Sequence, residues 1–539
     1  FNKRFIPLYL FVFLLVLYIS NLSRSVYGGD VGDLVTSSFV AGVPHPPGYP
    51  FFTLVGFLLT RVGVLFHWTP AFAVGLISAV TSAFAVFLYY KHVYLETKNH
   101  LISLISSLIL SFTYLFWFYA EIGEVFALNN FFVVLLIFLV VRFLRTHKIN
   151  YLYFLSFFAG LAFTNHQTIV LIFPSLLLLI APDLWSLIRT KRKELLWVII
   201  LPFVGFSVYL YAIIASLHTP VIDWLHMRSW NDLSSFMFLI LRRQYGTLQA
   251  GPFPPPDWIE RLLILKNYFI AVGTQLTLPV IVLSLVGVGY LLRKKTLVGI
   301  SLLLAYILSG PVFIAYAGFP LVDVFRFGVY ERFICMSAVL VMFFFPYGLV
   351  AFANSLKKIV RTQFIVVIEL VFLLIPVMLF VYNFPKTNLS SVFVGDNLGR
   401  DYLDVLPKNS LLLLSGDTTL FNTWYMHYAR GVRPDVTLMN SLDPYKSNVL
   451  LAKKFPHMQS GKSFTDAVNA LKNNIASLSA TVTVVSDIQI RGHNTTFTWI
   501  PYGLAFQLIM NKSDLPSHEA FLNHTMTIWS QLHVPSSQS

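Results

Sequence analysis

Long apolar stretches separated by short polar or basic segments fill the chain from Phe5 to Tyr382. Runs of roughly 16–22 apolar residues are long enough, as helices, to cross about 30 Å of hydrocarbon. The pattern predicts spans near 5–20, 71–90, 101–119, 126–144, 151–165, 167–181, 196–217, 267–291, 297–317, 332–353 and 363–383. The stretch 48–66 is also apolar, but it opens with Pro46-Pro47-Gly48 and carries Arg61 in its middle. It reads as an amphipathic or re-entrant surface segment rather than a crossing. Beyond Asn383 the pattern becomes that of a soluble domain. Residues 410–415, 436–439 and 481–486 are predicted as short buried strands, with a helix over 420–430. The expected architecture is an α-helical polytopic membrane protein of about 11 transmembrane helices over residues 1–383. A small C-terminal α/β soluble domain follows over 384–539.

Composition agrees: mean hydropathy is +0.71, with 56% hydrophobic and 12% charged residues, which excludes an ordinary soluble domain. The net charge of +14 would suggest nucleic acid in a soluble protein. Here the basic residues form short clusters between apolar runs, as cytoplasmic loops do, so no nucleic-acid partner is expected. With the N-terminus inside, the inside loops are 91–100, 142–148, 182–194, 293–295 and 357–361, and Thr190-Lys191-Arg192-Lys193 is the clearest of them. Eleven spans then place the tail on the non-cytoplasmic side. Four N-x-S/T sequons, at Asn388, Asn494, Asn511 and Asn523, fit that side in a eukaryotic source. Lys3 and Arg4 precede the first run, but no small-x-small site follows Ile19, so that run does not read as a cleaved signal. The single cysteine, Cys335, excludes an intrachain disulfide and a thiolate metal site.

In this topology the loop acids segregate. Asp30, Asp33, Glu121, Glu124, Asp223, Asp232, Asp257, Glu260, Asp323 and Glu331 fall on the external side or at outer ends of spans. Acids gathered at one membrane face are candidates for chemistry there. The first external loop reads Gly28-Gly29-Asp30-Val31-Gly32-Asp33, then Pro44-His45-Pro46-Pro47-Gly48-Tyr49-Pro50. Carboxylates three residues apart share a helix face, and the glycines admit close approach of a ligand or another backbone. A carboxylate here suits accepting the proton of an attacking hydroxyl. Spacing alone supports helix capping by Asp30 and solvation of Asp33 equally well.

The Gly29-Asp30-Val31-Gly32-Asp33 and His45-Pro46-Pro47-Gly48-Tyr49-Pro50 blocks resemble the signature of a membrane glycosyltransferase family. That family includes a eukaryotic protein O-mannosyltransferase of the endoplasmic reticulum and bacterial members formerly known as a domain of unknown function. Further blocks are similar: 120–130, around Glu121, Glu124 and Asn129; 160–168, around His166; Arg242-Arg243-Gln244-Tyr245-Gly246-Thr247; Gly416-Asp417 through Trp424-Tyr425; and Gly431-Val432-Arg433-Pro434-Asp435-Val436. Asp33 departs from the pattern, where Glu is expected. The resemblance implies a GT-C fold and an inverting transfer of a sugar, with mannose the first expectation, from a polyprenyl- or dolichyl-phosphate carrier in the membrane lipid. The acceptor hydroxyl belongs to Ser or Thr of a protein, or to a glycan. It implies Asp30 as general base and Asp33 as its partner or an acceptor-positioning group. Substrate-binding groups fall among His45, Tyr49, Glu121, Glu124, Asn129, His166, Arg242 and Arg243. The location implied is a bacterial cell membrane or the endoplasmic reticulum membrane, with the active site and C-terminal domain on the non-cytoplasmic side.

Arg242 and Arg243, in the loop between Ser216 and Leu265, suit bidentate binding of the donor phosphate, and lipid-headgroup contact is their structural alternative. Arg326 and Arg332, beside Asp323 and Glu331, form a second cluster ranked below them. No cofactor and no metal is expected: His45 and His166 are far apart in sequence, and arginines can neutralise a monophosphate. Two rival functions are transfer to a lipid or surface glycan, and a lipid or sugar transporter without transferase activity. A third, an interaction scaffold, leaves the acidic first loop unexplained. A transporter would show inverted repeats and mid-membrane ionisable groups, and neither pattern is evident here.

Overall fold

The computed structural model describes residues 3–227, 229–251, 254–321, 327–328, 330–356, 370–440, 482–489 and 497–533. The chain begins with α1 (Ile6–Asn21), α2 (Val31–Val40), α3 (Pro50–Leu65) and α4 (Pro70–Thr97), followed by α5 (His100–Phe112), α6 (Tyr114–Ala120), α7 (Val125–Thr146) and α8 (Ile149–Asn165). Local signals set these bounds. Thr69 caps α4 by accepting from the Phe72 amide, with Pro70 in the first turn, and Lys98 ends it in the left-handed region at φ 55°. Asn99 then caps α5 through the amides of Leu101 and Ile102.

Among the described residues, seven helical stretches are long and apolar enough to cross a membrane, and two bent pairs raise the count to nine. The two bends correct the reading of straight spans at 101–119 and 267–291. The chain turns 68° between α5 and α6, and 106° between helices Trp258–Leu276 and Leu278–Lys294. Thr113 is extended and Thr277 takes φ 63°, ψ 151°, with Pro279 following. Hydropathy runs unbroken through both threonines, so the apolar pattern carries no sign of either turn. Two expected spans make up the difference from eleven. Residues 151–165 lie in α8, a 17-residue helix, and 363–383 is described only from residue 370, with a helix over Leu374–Thr387.

The stretch 48–66 forms α3, whose 16 residues reach about 24 Å at 1.5 Å per residue, short of the hydrocarbon thickness. Its Arg61 donates to the Phe39 carbonyl at 2.5 Å and stacks on the rings of Phe39 and Phe57, tying α3 to the end of α2. Three of the basic loops meet at one end of the bundle. There Glu96, at the end of α4, accepts from Arg145 at 2.7 Å, Lys295 at 2.5 Å and the Tyr347 hydroxyl at 2.9 Å.

The C-terminal region holds a five-stranded sheet in the order β2-β1-β3-β5-β4. Strands β1 (Leu411–Leu414), β2 (Thr437–Asn440) and β3 (Val484–Ser486) are parallel and correspond to the three expected strands. The hairpin β4 (Thr498–Tyr502) and β5 (Ala505–Ile509) was not expected from the pattern. The expected helix over 420–430 starts earlier, as Asp417–Trp424, and widens to a π-turn over Tyr425–Ala429. Two contacts dock this region on the first loop. Asp396 accepts from the Ser25 hydroxyl at 2.6 Å and the Val26 amide at 3.2 Å. Helix Asp417–Trp424 lies against α2 so closely that a Cβ on Gly32 would stand 2.5 Å from the carbonyl of Phe421.

Candidate active site

Asp30 stands at the N-cap position just before α2, but its side chain makes no capping bond. Gly29, at φ 76°, turns the chain under the Arg332 guanidinium, and the Asp30 carboxylate meets that guanidinium at 2.9 Å. Its other close partner is His45 Nε2, 3.6 Å away. Burial alone would raise the Asp30 pKa; the cations Arg332, His45 and Arg242 outweigh it and hold the carboxyl below its ordinary value. Asp30 is therefore an ionised carboxylate among cations, and the capping alternative is set aside.

Asp33 is not solvated. It is 0% exposed, and one of its oxygens accepts from both the His45 amide at 2.9 Å and His45 Nδ1 at 2.6 Å. The other accepts from the Ser37 hydroxyl at 3.3 Å. This corrects the acceptor-positioning alternative: a side chain sealed beneath His45 cannot touch an acceptor. It is the partner of Asp30 only through the imidazole, whose ring it fixes with Nε2 towards Asp30. Burial would lower the His45 pKa, but Asp30 and Asp33 raise it above the ordinary imidazole value. His45 also stacks on Phe421 at 6.2 Å, so the C-terminal region packs directly on the site.

Tyr49 extends the cluster. Its hydroxyl lies 3.3 Å from His45 Nε2, and its ring stacks on His166 at 6.0 Å. His166 Nδ1 pairs with the Thr168 hydroxyl at 2.6 Å. Burial, with Arg242 and Arg332 nearby, pushes His166 down to about 3, so it is neutral. Glu124 caps α7 through the Val125 amide and pairs with Arg332 at 3.2 Å, making Arg332 a bridge between Glu124 and Asp30. Burial raises Glu124 to about 7 against the pull of Arg332.

The structure separates Glu121 from Glu124. Glu121 is buried beside Trp117, whose indole N–H donates to it at 2.9 Å, and burial raises its pKa well above the ordinary value. Its side chain makes no described contact with the Asp30 cluster, while its backbone carbonyl holds the first loop by accepting from the Ser23 amide at 2.9 Å. Asn129 likewise faces Met336 Sδ at 3.7 Å rather than the acids.

The arginine ranking changes as well. Arg332, placed second in sequence, is central but committed to two carboxylates. Arg242 lies near enough to act electrostatically on Asp30 and His166, stacks on Tyr245 at 5.5 Å and gives one N–H to the Gln249 carbonyl at 3.3 Å. Among the described residues it has no carboxylate partner, and its buried Nε is unpaired. Arg243 is exposed and shows no side-chain contact with the cluster. Arg326 and Asp323 lie outside the described residues.

Sequence reasoning passed over Asp417 as a site residue. It begins the helix docked on α2, next to Thr418, whose hydroxyl accepts from the Gly29 amide at 3.5 Å. Asp417 is an exposed residue in this structure. The surrounding protein and the Asp30 charge raise it to about 6, with His45 opposing. The Gly416-Asp417 block carried the one signal for it. Among the described residues no group of three or more His, Cys, Asp or Glu side chains is arranged to hold a metal ion. The arrangement offers an ionised carboxylate, a buried carboxylate–imidazole pair behind it and an arginine with donors to spare.

Residues 30–188 match the family model described as the protein O-mannosyl-transferase TMEM260 N-terminal domain. The chain is 28% identical over 478 residues to protein O-mannosyl-transferase tmem260 of Dictyostelium discoideum, covering 80% of this chain and 56% of that protein. It is 29% identical over 436 residues to protein O-mannosyl-transferase TMEM260 of Mus musculus, covering 78% and 60%. The chain thus spans somewhat over half the length of these relatives. The crystal structure of ArnT from Cupriavidus metallidurans bound to undecaprenyl phosphate superposes with TM-score 0.54 at 11% identity, over 93% of this chain and 97% of that one. The apo form of the same protein gives 0.53 at 12%. The chain shares the fold of ArnT over nearly its whole length, with a small sheet in the C-terminal region.

Proposed function

We propose that this chain, which carries the TMEM260-type N-terminal domain on a GT-C fold, is an inverting glycosyltransferase. It moves mannose from a polyprenyl- or dolichyl-phosphate carrier to a Ser or Thr hydroxyl of protein. The observation that carries the reading is the setting of Asp30, pinned between Arg332 at 2.9 Å and His45 at 3.6 Å, with Asp33 locking the imidazole from behind. The names of the two relatives supply the sugar and the protein acceptor.

The reaction is one displacement. The acceptor oxygen forms its bond to the anomeric carbon as the carbon–phosphate oxygen bond breaks, and the electron pair leaves with the phosphate. The hydroxyl proton passes to Asp30. A low-pKa carboxylate is a weak base, which suits a late proton transfer driven by an easily departing phosphate. Once Asp30 is protonated, the charges of Arg332 and His45 are less compensated, at the moment the phosphate gains charge. Arg242 meets that phosphate directly, so the chemistry needs no metal. The basic end of the bundle lies at the far end of α4 from this site, which supports a non-cytoplasmic active site and C-terminal region in a multi-pass membrane protein.

The test is sugar transfer to a Ser/Thr peptide by the reconstituted full chain. Asp30→Asn is expected to lose at least about 10²-fold in rate with donor affinity nearly unchanged, and chelator should have no effect on the parent. A folded, donor-binding Asp30→Asn protein that transfers at the parental rate refutes the base assignment. Loss of parental activity in chelator refutes the metal-free one.

A further inference from the structure

A cavity lies at the opposite end of the bundle from Asp30. It occupies about 230 Å³ between α4, α7 and the helices Phe173–Thr190 and Thr296–Ile307. The Ser78 hydroxyl of α4 bonds the Glu124 carbonyl near the active site, whereas Glu96 is eighteen residues, or about 27 Å, further along the same helix. The cavity is therefore independent of the transfer chemistry.

Its lining is layered. At the end of the bundle, Arg145 and Lys295 both pair with Glu96, at 2.7 and 2.5 Å, leaving one positive charge in excess among the three. One helical turn deeper, on the same face of α4, sits His92. It is 3% exposed, and neither ring nitrogen has a hydrogen-bond partner. Deeper still the walls are apolar, with Ile137, Val140, Leu176 and Leu302 among them. A buried imidazole with two unpaired nitrogens carries a desolvation cost that a ligand atom removes.

We infer that this cavity binds an anionic glycerophospholipid. Its phosphate rests on Arg145 and Lys295, its glycerol-ester region bonds His92 one turn inward, and its acyl chains lie along the apolar wall. The three layers follow the order phosphate, ester and hydrocarbon of such a lipid. A polyprenyl phosphate has no carboxylic ester to offer at the depth of His92, and a free phosphate has nothing for the walls.

The experiment is native mass spectrometry of the delipidated full chain titrated separately with phosphatidylglycerol, phosphatidylcholine, undecaprenyl phosphate and inorganic phosphate. Phosphatidylglycerol is expected to bind at one site about fivefold more tightly than phosphatidylcholine, the factor one net basic charge contributes near a membrane surface. His92→Leu and Lys295→Gln should each weaken it severalfold, and inorganic phosphate should not displace it. Equal affinity for the two glycerolipids, or retention unchanged in both variants, overturns the inference. Undecaprenyl phosphate should bind alongside phosphatidylglycerol, at Arg242; its displacing phosphatidylglycerol from this cavity overturns the ester assignment, and displacement by inorganic phosphate reduces the site to an anion site. Should a variant fail to fold, the lipid titrations of the parent decide the question alone.

Discussion

Asp33→Asn isolates the charge behind His45. The asparagine amide oxygen can take the place that accepts from His45, and its NH2 can donate to the Ser37 hydroxyl, so the hydrogen-bond geometry survives. What is lost is the negative charge facing the imidazole. Hydrogen bonds to charged groups contribute about 1.5–3 kcal/mol and neutral ones about 0.5–1.5. The difference, about 1–1.5 kcal/mol, corresponds to a fall of roughly one unit in the His45 pKa. The parental value is raised above 6.5, so the stability that His45 contributes is complete below about 6.5 and fades as pH rises through the raised value. In the variant that window closes about one unit earlier. If imidazolium helps balance the departing phosphate, the alkaline limb of the rate–pH profile moves about one unit towards acid. Transfer then drops up to about tenfold on that limb and returns towards the parental rate at lower pH, with donor KM steady. An unmoved limb in a folded variant would refute the argument, and so would a uniform loss at every pH, which a purely structural role predicts.

Arg242→Lys should raise the donor KM about tenfold through loss of the planar fork, while Arg243→Lys changes it less than about twofold. A larger effect at Arg243 would return the phosphate site to the sequence ranking. Gly32→Ala places a methyl 2.5 Å from the Phe421 carbonyl, and thermal unfolding should show a loss of about 1–3 kcal/mol, an effect absent if the docked helix yields freely. Single cysteines at Val64 and Lys98 should label from opposite faces of the membrane, Lys98 from the cytoplasm. Cytoplasmic labelling at Val64 would make α3 a crossing and reverse the sidedness of every later loop.

The first-loop blocks made Asp30, His45 and Tyr49 legible through their resemblance to a glycosyltransferase signature, since spacing alone left Asp30 equally readable as a helix cap. Asp33 was misjudged for a physical reason. Spacing places it on the face of Asp30 but cannot tell that the helix is roofed by Phe421, nearly 390 residues away. Asp417 escaped for the same cause: it reaches the site through tertiary docking alone. Glu121 and Glu124 look equivalent as a pair three apart, yet the turn at the end of α6 sends one to Trp117 and the other to Arg332. The helical breaks at Thr113 and Thr277 were invisible because apolar residues flank each bend on both sides, and Thr113 itself is buried in the bundle. The parallel strands β1, β2 and β3 showed themselves as short continuous apolar runs, as fully buried strands do.

The seat of Phe421 on Gly32 sets a timetable for assembly of the site. Ribosomes add roughly 5–20 residues per second, so α2 waits about 20–80 s between its own emergence and that of the helix that roofs it. During that interval every helix of the bundle can be inserted while His45 lacks its stacking partner and the cleft lacks Asp417. The site stays incomplete until the helix at Asp417 arrives. A premature stop before residue 417 therefore leaves the helical bundle without the roof over His45, and under the proposed function such a product is expected to be inert.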